Sequence, residues 1–511
     1  MSRRTDAPLL ALAIGLEMDG SRPLHRQVYD GLRDAVLAGN LPPGGRLPST
    51  RALSEDLGCS RNTVLNAYEQ LRSEGYLEAR RGAGCFVSPV LPETPLAPLR
   101  SAGSDAWVRP GAALGLSDRG RTLAGLHRPE VDALAGVGPA FATGVPDLNA
   151  FPFDQWGRLL GSLWRHPEPE LMHCRDPAGL PALRVAIARH LNAVRGLRCD
   201  PEEILVTSGS QQSLDLVARL LLEPGARVLV EDPGYSGLRG PLVGAGVTMV
   251  PVTVDEHGMR VEQALQTEPD ARLAMVTPSH QYPLGSTLSL SRRLALLSWA
   301  HEGAGWILED DYDSEYRYAG RPLAALRGLD AERHPGGQRV IYMGSFSRVL
   351  FPGIRLGYLV VPRALVTDFV AARRALDDYP SLITQPVLAR FMESGQFAAH
   401  VRRMRRCYGE RQRRLLAGAA SELDGILHLQ ADDAGMHLVA RPGPRLPAGV
   451  SDRDLVSTAA SAGVRVSALS RCYLDAEPRH GLLMGYAAVD GPAIDAAVRR
   501  LSRAFRRESK P

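Results

Sequence analysis

The spacing of apolar positions changes along this chain, and the changes divide it into three stretches. Over residues 21–88 the period is helical. HRQVYDGLRDAVLAG reads as an amphipathic helix, which the Pro-Pro-Gly-Gly run of LPPGGRLPS then breaks. STRALSEDLG predicts a second, short helix with Ser49 or Thr50 as its cap and Gly58 at its end. SRNTVLNAYEQLRSEG predicts a third, capped by Ser60, with Val64, Ala67, Tyr68 and Leu71 on one apolar face. YLEARRGAGCFVS follows as two strand halves around Arg81, Gly82, Ala83 and Gly84. The order is helix, helix, turn, helix and wing.

Residues 89–128 are rich in Pro, Ala, Gly, Ser and Leu without steady periodicity, a linker composition. From 129 to 508 the texture changes again. Short β-branched runs (EILVTSG, ARVLVEDPG, RLAMVTPSH, GWILEDDY, RVIYMGSFS, LGYLVVP) alternate with helical stretches such as SQQSLDLVARLLL and LSRRLALLSWAHEG. This alternation predicts an α/β domain over 129–511, with a mainly parallel sheet covered on both faces. Its functional loops are expected at the carboxyl ends of the strands, where TSGSQQ, EDPGY, TPSHQYPLG, EDDYD and GSFSR stand.

Composition adds limits. The 511 residues suffice for two or more domains, and 44% apolar with 23% charged residues is ordinary for a globular chain. No apolar run reaches the roughly 18 residues of a membrane span. The opening MSRRTDAPLLALAIGLEMDG has acids inside its short apolar stretch and no A-x-A pattern, so it is read as a structural lead-in and not a signal peptide. The six cysteines form no C-x-x-C, which predicts a reduced, cytoplasmic protein without a zinc site; metal ligands are expected to be none. Net charge is only +4, so a nucleic-acid partner has to be argued from motif and placement. The chain contains a single lysine, Lys510, in the C-terminal tail.

The first stretch suits double-stranded DNA. A recognition helix offers its N-terminal residues to the major groove, and here these are Arg61, Asn62 and Thr63. They supply donors for guanine, adenine and phosphate. Arg51 begins the second helix and can hold the backbone. Arg80 and Arg81 flank Gly82 at the wing tip, where glycine permits close approach to phosphate. A plain helical bundle with solvated arginines is the competing reading. The run RLPSTRALSEDLGCSRNTVLNAYEQLRSEGYLEARRGAGCFVS resembles the winged helix of GntR-type regulators, and a winged helix-turn-helix DNA-binding domain is expected over 1–88.

The last stretch resembles the fold-type I aminotransferases, which use pyridoxal phosphate (PLP). The two parts together resemble the MocR/GabR subfamily of GntR regulators. In Ser208-Gly209-Ser210-Gln211 a strand closes and a helix opens, so backbone N–H groups can face a phosphate; an ordinary capping turn is the bland alternative. The resemblance implies that Ser345, Ser347 and Arg355 complete the phosphate cup. It implies that Tyr235 stacks on the pyridine ring, that Asp310 pairs with the ring nitrogen and that Tyr312 reaches the phenolic oxygen. His280 and Gln281 fall where the family contacts ring or substrate. Arg471, in SALSRCY, stands in the part of the chain where the family places an arginine for a ligand carboxylate.

One position departs from the family. Its lysine follows a G-S/T-F-S motif, but this chain reads Gly344-Ser345-Phe346-Ser347-Arg348. Arginine stays protonated and is a poor nucleophile, so Arg348 cannot form an imine with an aldehyde. Ordinary transamination is not expected, and no catalytic residue is assigned. Arg348 can meet the phosphate, meet the carboxylate of an amino acid–PLP adduct, or fill the pocket. The cofactor expectation stays open between PLP held non-covalently, such an adduct or a related amine, another small ligand, and none. The leading reading is a homodimeric regulator whose second domain senses a small effector. The alternatives are a PLP-dependent aminotransferase with a DNA-binding appendage, and a regulator whose large domain only dimerises. The segment VRRMRRCYGERQRR (401–414) carries seven arginines, read chiefly as a solvated helix face or subunit contact and secondarily as a further DNA contact.

Overall fold

In the computed structural model the described residues are 14–16, 22–80, 83–91, 115–126, 138, 140–167, 169, 176–303, 305–320, 324–447 and 449–508. Most of the lead-in, the wing-tip residues Arg81 and Gly82, and Cys174 lie outside them. The chain forms two compact units that part between Leu114 and Gly115.

The first unit has helices Leu24–Leu37, Thr50–Asp56 and Arg61–Ser73, then the antiparallel hairpin of β1 (Leu77–Arg80) and β2 (Gly84–Val87). Local chemistry sets the helix starts. Ser49 Oγ accepts the Ala52 N–H at 3.1 Å, and Ser60 Oγ accepts the Thr63 N–H at 3.1 Å. Ser49, not Thr50, is therefore the cap of the second helix. Replacing either serine by alanine would cost about 1 kcal/mol. Between the two helices Gly58 takes φ 62°, a left-handed turn that favours glycine. Val64, Ala67, Tyr68 and Leu71 are buried together against Val28, Leu32 and Leu53.

The second unit holds an eight-stranded sheet in the order β3-β10-β9-β8-β7-β4-β5-β6. Its strands are β3 (Ile204–Thr207), β4 (Arg227–Asp232), β5 (Thr248–Asp255), β6 (Gly258–Met259), β7 (Leu273–Val276), β8 (Trp306–Asp311), β9 (Val340–Ser345) and β10 (Gly357–Val360). The run from β5 through β4, β7 and β8 to β9 is parallel, whereas β10 pairs antiparallel with both β9 and β3. Every residue of β3, β7 and β10 is buried, as strands covered on both faces require. A second, four-stranded antiparallel sheet has the order β11-β12-β14-β13, formed by β11 (Leu427–Leu429), β12 (His437–Pro442), β13 (Ser467–Ala468) and β14 (Leu482–Gly485). Helix Asp118–Gly125 also belongs to this unit, within the stretch read from sequence as linker; Arg119 donates to the Gly244 carbonyl.

The long helix Gln396–Glu422 spans both cores. Phe397 and Val401 pack with Ile204 and Tyr358 of the large sheet, and Met404, Tyr408 and Leu415 with Leu438 and Met484 of the small one. Much of its arginine run is consumed inside the unit. Arg411 is buried and donates to Asp147 and to the Ala487 carbonyl, each at 2.5 Å. Arg403 and Arg405 donate to the carbonyls of Ala150 and Glu315, both at 2.8 Å, and Arg414 pairs with Asp495. Arg402, Arg406 and Arg413 face solvent.

Candidate functional site

A cavity of about 190 Å³ opens where the parallel strands end. It is lined by Gly144, Gly209, Ser210, Tyr235, Tyr282, Asp310, Tyr312, Ser345, Ser347, Arg348, Pro352 and Arg355. The placement follows from topology: β3 runs into Gly209 and Ser210, β8 ends with Asp310 and Asp311, and β9 delivers Ser345. In a parallel sheet these carboxyl ends lie side by side and the connecting loops form one crevice.

One end of the cavity is built from hydroxyls, a helix start and a guanidinium. Gly209 caps helix Ser210–Leu221 with φ 112°, a backbone state that favours glycine. Ser210 opens the helix, whose first N–H groups and positive dipole end favour an anion. Arg355 lies beside Gly209, and Ser345 and Ser347 line the same cavity. Arg355 itself takes a left-handed backbone (φ 49°, ψ 46°), which precedes the entry into β10. Ser208 and Gln211 are exposed and do not line the cavity. The Ser208 N–H is taken by Gln212 at 2.7 Å, and Gln211 donates to the Gly237 carbonyl at 2.9 Å.

The other end is aromatic. Tyr235 and Tyr282 meet edge to face with ring centroids 5.9 Å apart, as do Tyr282 and Tyr312. The guanidinium of Arg348 lies over the Tyr312 ring at 4.8 Å and the Tyr282 ring at 5.8 Å. Such cation–π contacts are worth about 0.5–2 kcal/mol each. Among the described residues no carboxylate is within ion-pair distance of Arg348. Asp310 shares the cavity, and burial pushes its carboxyl up to about 7, partly opposed by Arg348. Asp310 lies within β8 and is not a helix cap. The cavity thus presents two guanidinium groups and one carboxyl of raised pKa, an arrangement that suits an anionic ligand with a basic ring nitrogen.

Behind the wall stands a second layer. His280 does not line the cavity. Its Nδ1 lies 3.0 Å from Asp313 and 3.0 Å from the Tyr312 hydroxyl, and its Nε2 lies 3.1 Å from Asp432. Burial opposes its charge, but the two carboxylates outweigh burial and push His280 up to about 10. An imidazolium has two N–H donors and no lone pair. The imidazolium thus has no lone pair to take the Tyr312 proton, and its single Nδ1–H faces both Asp313 and the Tyr312 oxygen. Gln281 is also set back: it donates to Pro233 O at 2.9 Å and to Glu231 at 3.2 Å, holding the loop in shape. Below β8, the buried Arg195–Asp311 pair at 2.8 Å is completed by the Tyr342 hydroxyl at 2.5 Å. Arg471 sits in the short turn Leu469–Cys472 and is not among the residues that line the cavity.

Tyr282, Gly144 and Pro352 line the cavity without having been singled out from sequence. Tyr282 stands inside the quoted SHQYPLG loop, so its motif was visible but its direction was not. Gly144 precedes the large sheet in the chain by some distance; a Cβ there would lie 3.0 Å from the Arg348 guanidinium.

In the first unit, Arg61 and Asn62 are exposed at the start of the third helix. Arg61 Nε lies 3.4 Å from Thr50 Oγ1, and the Thr63 hydroxyl lies 2.9 Å from that of Ser60. Arg51 pairs with Glu55 at 3.1 Å on the exposed face of the second helix. Arg80 stacks over Phe86 at 4.6 Å, which fixes its charge along the wing. Arg46, not noted from sequence, bridges to Phe86 and lies beside Gly84.

Comparison with known proteins gives two family matches. Residues 24–87 match the bacterial regulatory proteins of the gntR family, and residues 160–501 match aminotransferase class I and II. The probable rhizopine catabolism regulatory protein MocR of Rhizobium meliloti is 41% identical over 96% of this chain and 95% of its own length. The HTH-type pyridoxine biosynthesis transcriptional regulator PdxR of Corynebacterium glutamicum is 33% identical over 97% of this chain and 99% of its own. Among solved structures, the α-aminoadipate aminotransferase LysN of Thermus thermophilus, complexed with N-(5'-phosphopyridoxyl)-L-leucine, is 27% identical with TM-score 0.68, over 76% of this chain and 97% of that one.

Proposed function

The chain belongs to the gntR family of bacterial transcription regulators and carries an aminotransferase class I and II domain C-terminal to its DNA reader; from that premise we propose that the second unit senses PLP, or a pyridoxyl phosphate joined to an amine, without a covalent bond and without turnover. One observation carries this reading. Arg348, which the family resemblance aligns with the lysine, lines the same cavity as Tyr235, Asp310, Tyr312, Ser345, Ser347 and Arg355. Gly209, Ser210, Ser345, Ser347 and Arg355 would hold the phosphate. Asp310 would pair with the ring nitrogen, Tyr312 would donate to the phenolic oxygen, and Tyr235 would cover the ring. Bound PLP supplies an electron-withdrawing ring and an aldehyde. The described residues include no lysine to engage that aldehyde, since the chain's single lysine, Lys510, lies outside them. Arg348 is left to attract a second anionic group, such as the carboxylate of an amino acid attached to the pyridoxyl carbon.

Arg61, Asn62 and Thr63 would read base edges in the major groove. Arg51, Arg80 and Arg81 would hold phosphates, with Gly82 giving clearance at the wing tip. Two copies joined through the second units would present two readers to two half-sites. The setting is the cytoplasm, and among the described residues no helix is long and apolar enough to cross a membrane.

Thermal unfolding of the full chain tests the sensor. PLP and pyridoxamine phosphate should both raise the melting temperature, by the equivalent of about 2.7 kcal/mol at a hundredfold excess over Kd. Pyridoxal, which lacks the phosphate, should not. No shift with either phosphorylated compound would overturn the proposal.

A further inference from the structure

We propose that His301, Asp330 and His334 form a binding site for one divalent transition-metal ion, at the edge of the second unit where β9 begins. This site is separate from the ligand cavity and does not rest on the reading given to that cavity.

Local geometry brings the three side chains together. Asp330 and His334 are four residues apart at the end of helix Leu326–Arg333, so they share one face. His301 lies in the last turn of the neighbouring helix Leu290–Glu302. Its Nε2 is 2.8 Å from Asp330 Oδ1, and His334 Nδ1 is 3.2 Å from the same oxygen. All three candidate ligand atoms lie within 4.8 Å of one another. Asp330 is fully buried, and its other oxygen accepts the backbone N–H groups of Arg339 at 2.7 Å and Val340 at 3.0 Å. Those contacts fix the carboxylate as an outer shell fixes a metal ligand. The two imidazoles are accessible: their side chains are 20% and 36% exposed.

The chemistry follows from the donor set. In the metal-free protein each imidazole places an N–H on one carboxylate oxygen, so two protons occupy the point where the three side chains converge. A cation there replaces both hydrogen bonds. Each imidazole then presents a lone pair from the same nitrogen and carries its remaining proton on the other one. The two rings are stacked with centroids 3.6 Å apart, so the more exposed His334 must swing outward to reach a separate coordination position. Two nitrogens and one carboxylate oxygen suit Zn²⁺, Co²⁺, Ni²⁺ or Cu²⁺ better than Mg²⁺ or Ca²⁺, which prefer all-oxygen shells. Three protein ligands leave a fourth position to water. The absence of C-x-x-C removed a thiolate zinc site from consideration, but this ligand set needs no sulfur. The ion would tie the ends of two helices to the first residue of β9, the strand whose far end carries Ser345 into the cavity.

The test uses the full chain without a histidine tag, stripped with chelator and titrated with cobalt chloride. We expect one equivalent of bound Co²⁺ with visible d–d absorption, and a raised melting temperature. His301→Ala and His334→Gln should each weaken cobalt binding at least about tenfold. Both replace accessible side chains, and unchanged circular dichroism would show that the fold survives. Absence of bound cobalt in the unaltered protein would overturn the proposal, as would cobalt that binds both variants as tightly as the parent.

Discussion

At the end of the ligand cavity where helix Ser210–Leu221 begins, the donors are a helix start, small hydroxyls and Arg355. Elsewhere in the lining Arg348, which the family resemblance aligns with the lysine, is packed on Tyr282 and Tyr312. The first end asks only for N–H and O–H groups aimed at an anion, and this chain supplies them. The second asks for a nucleophile, and arginine is none. On the proposed reading, affinity for a phosphorylated ring and chemistry on its aldehyde depend on different residues, and one can be lost while the other stays.

The largest effect should come from the phosphate end. Arg355→Ala removes a charged donor, worth about 1.5–3 kcal/mol, so PLP affinity measured by calorimetry should fall roughly 10- to 100-fold. An unchanged Kd would place the phosphate elsewhere and break the comparison.

A comparable loss is expected in the DNA reader, from a different cause. Arg61→Ala should weaken specific binding by about 1–3 kcal/mol if the arginine meets a base edge. Arg80→Ala should weaken all sequences alike and lower the slope of affinity against salt. Gel-shift titrations at two salt concentrations separate the two. Equal affinity in both variants would remove these residues from the interface.

Smaller and more graded is the pH response of the ring end. Asp310, held up to about 7, must ionise to pair with a protonated ring nitrogen. PLP affinity should therefore rise as pH goes from 6 toward 8, by no more than about tenfold per unit for one coupled proton. Asp310→Asn should flatten this rise. In the ligand-free protein the sign is opposite. The folded state holds the Asp310 proton between the usual aspartate range, near 4, and about 7, where the unfolded state has lost it. Stability is therefore lost as pH rises through that window. His280, pushed up to about 10, extends the trend: its contribution is complete below about 6.5 and lost as pH rises through about 10. Melting temperatures at constant ionic strength would check both.

How much of this was legible in the sequence depends on the range of the physics. The caps at Ser49 and Ser60 and the apolar face of the third helix are local, and their residues declare them. The mainly parallel sheet showed in runs such as ILVT and LAMV, because a strand buried on both faces has no room for polar alternation. The antiparallel entry of β10 did not show, since LGYLVVP reads the same in either direction. Asp310, Tyr312, Ser345, Ser347 and Arg355, which the family resemblance singled out, line one cavity. His280 and Gln281 share that resemblance but lie a layer back, because a loop's side-chain directions depend on partners far along the chain. Asp432, which holds His280 from 152 residues away, had no local signal at all. The same limit hid the convergence of His301 on Asp330.

On the proposed reading, Arg348 removes the covalent step and leaves the binding site. Treating the protein with PLP and borohydride, then measuring mass and mapping any adduct, tests this. The unaltered chain should show none within residues 129–508. Arg348→Lys should gain a single pyridoxyl phosphate on residue 348, because Asp310, Tyr312, Ser345, Ser347 and Arg355 line the same cavity. A trapped adduct on the unaltered chain within residues 129–508 would contradict the claim, and a lysine variant that binds no cofactor would show that the site was not kept.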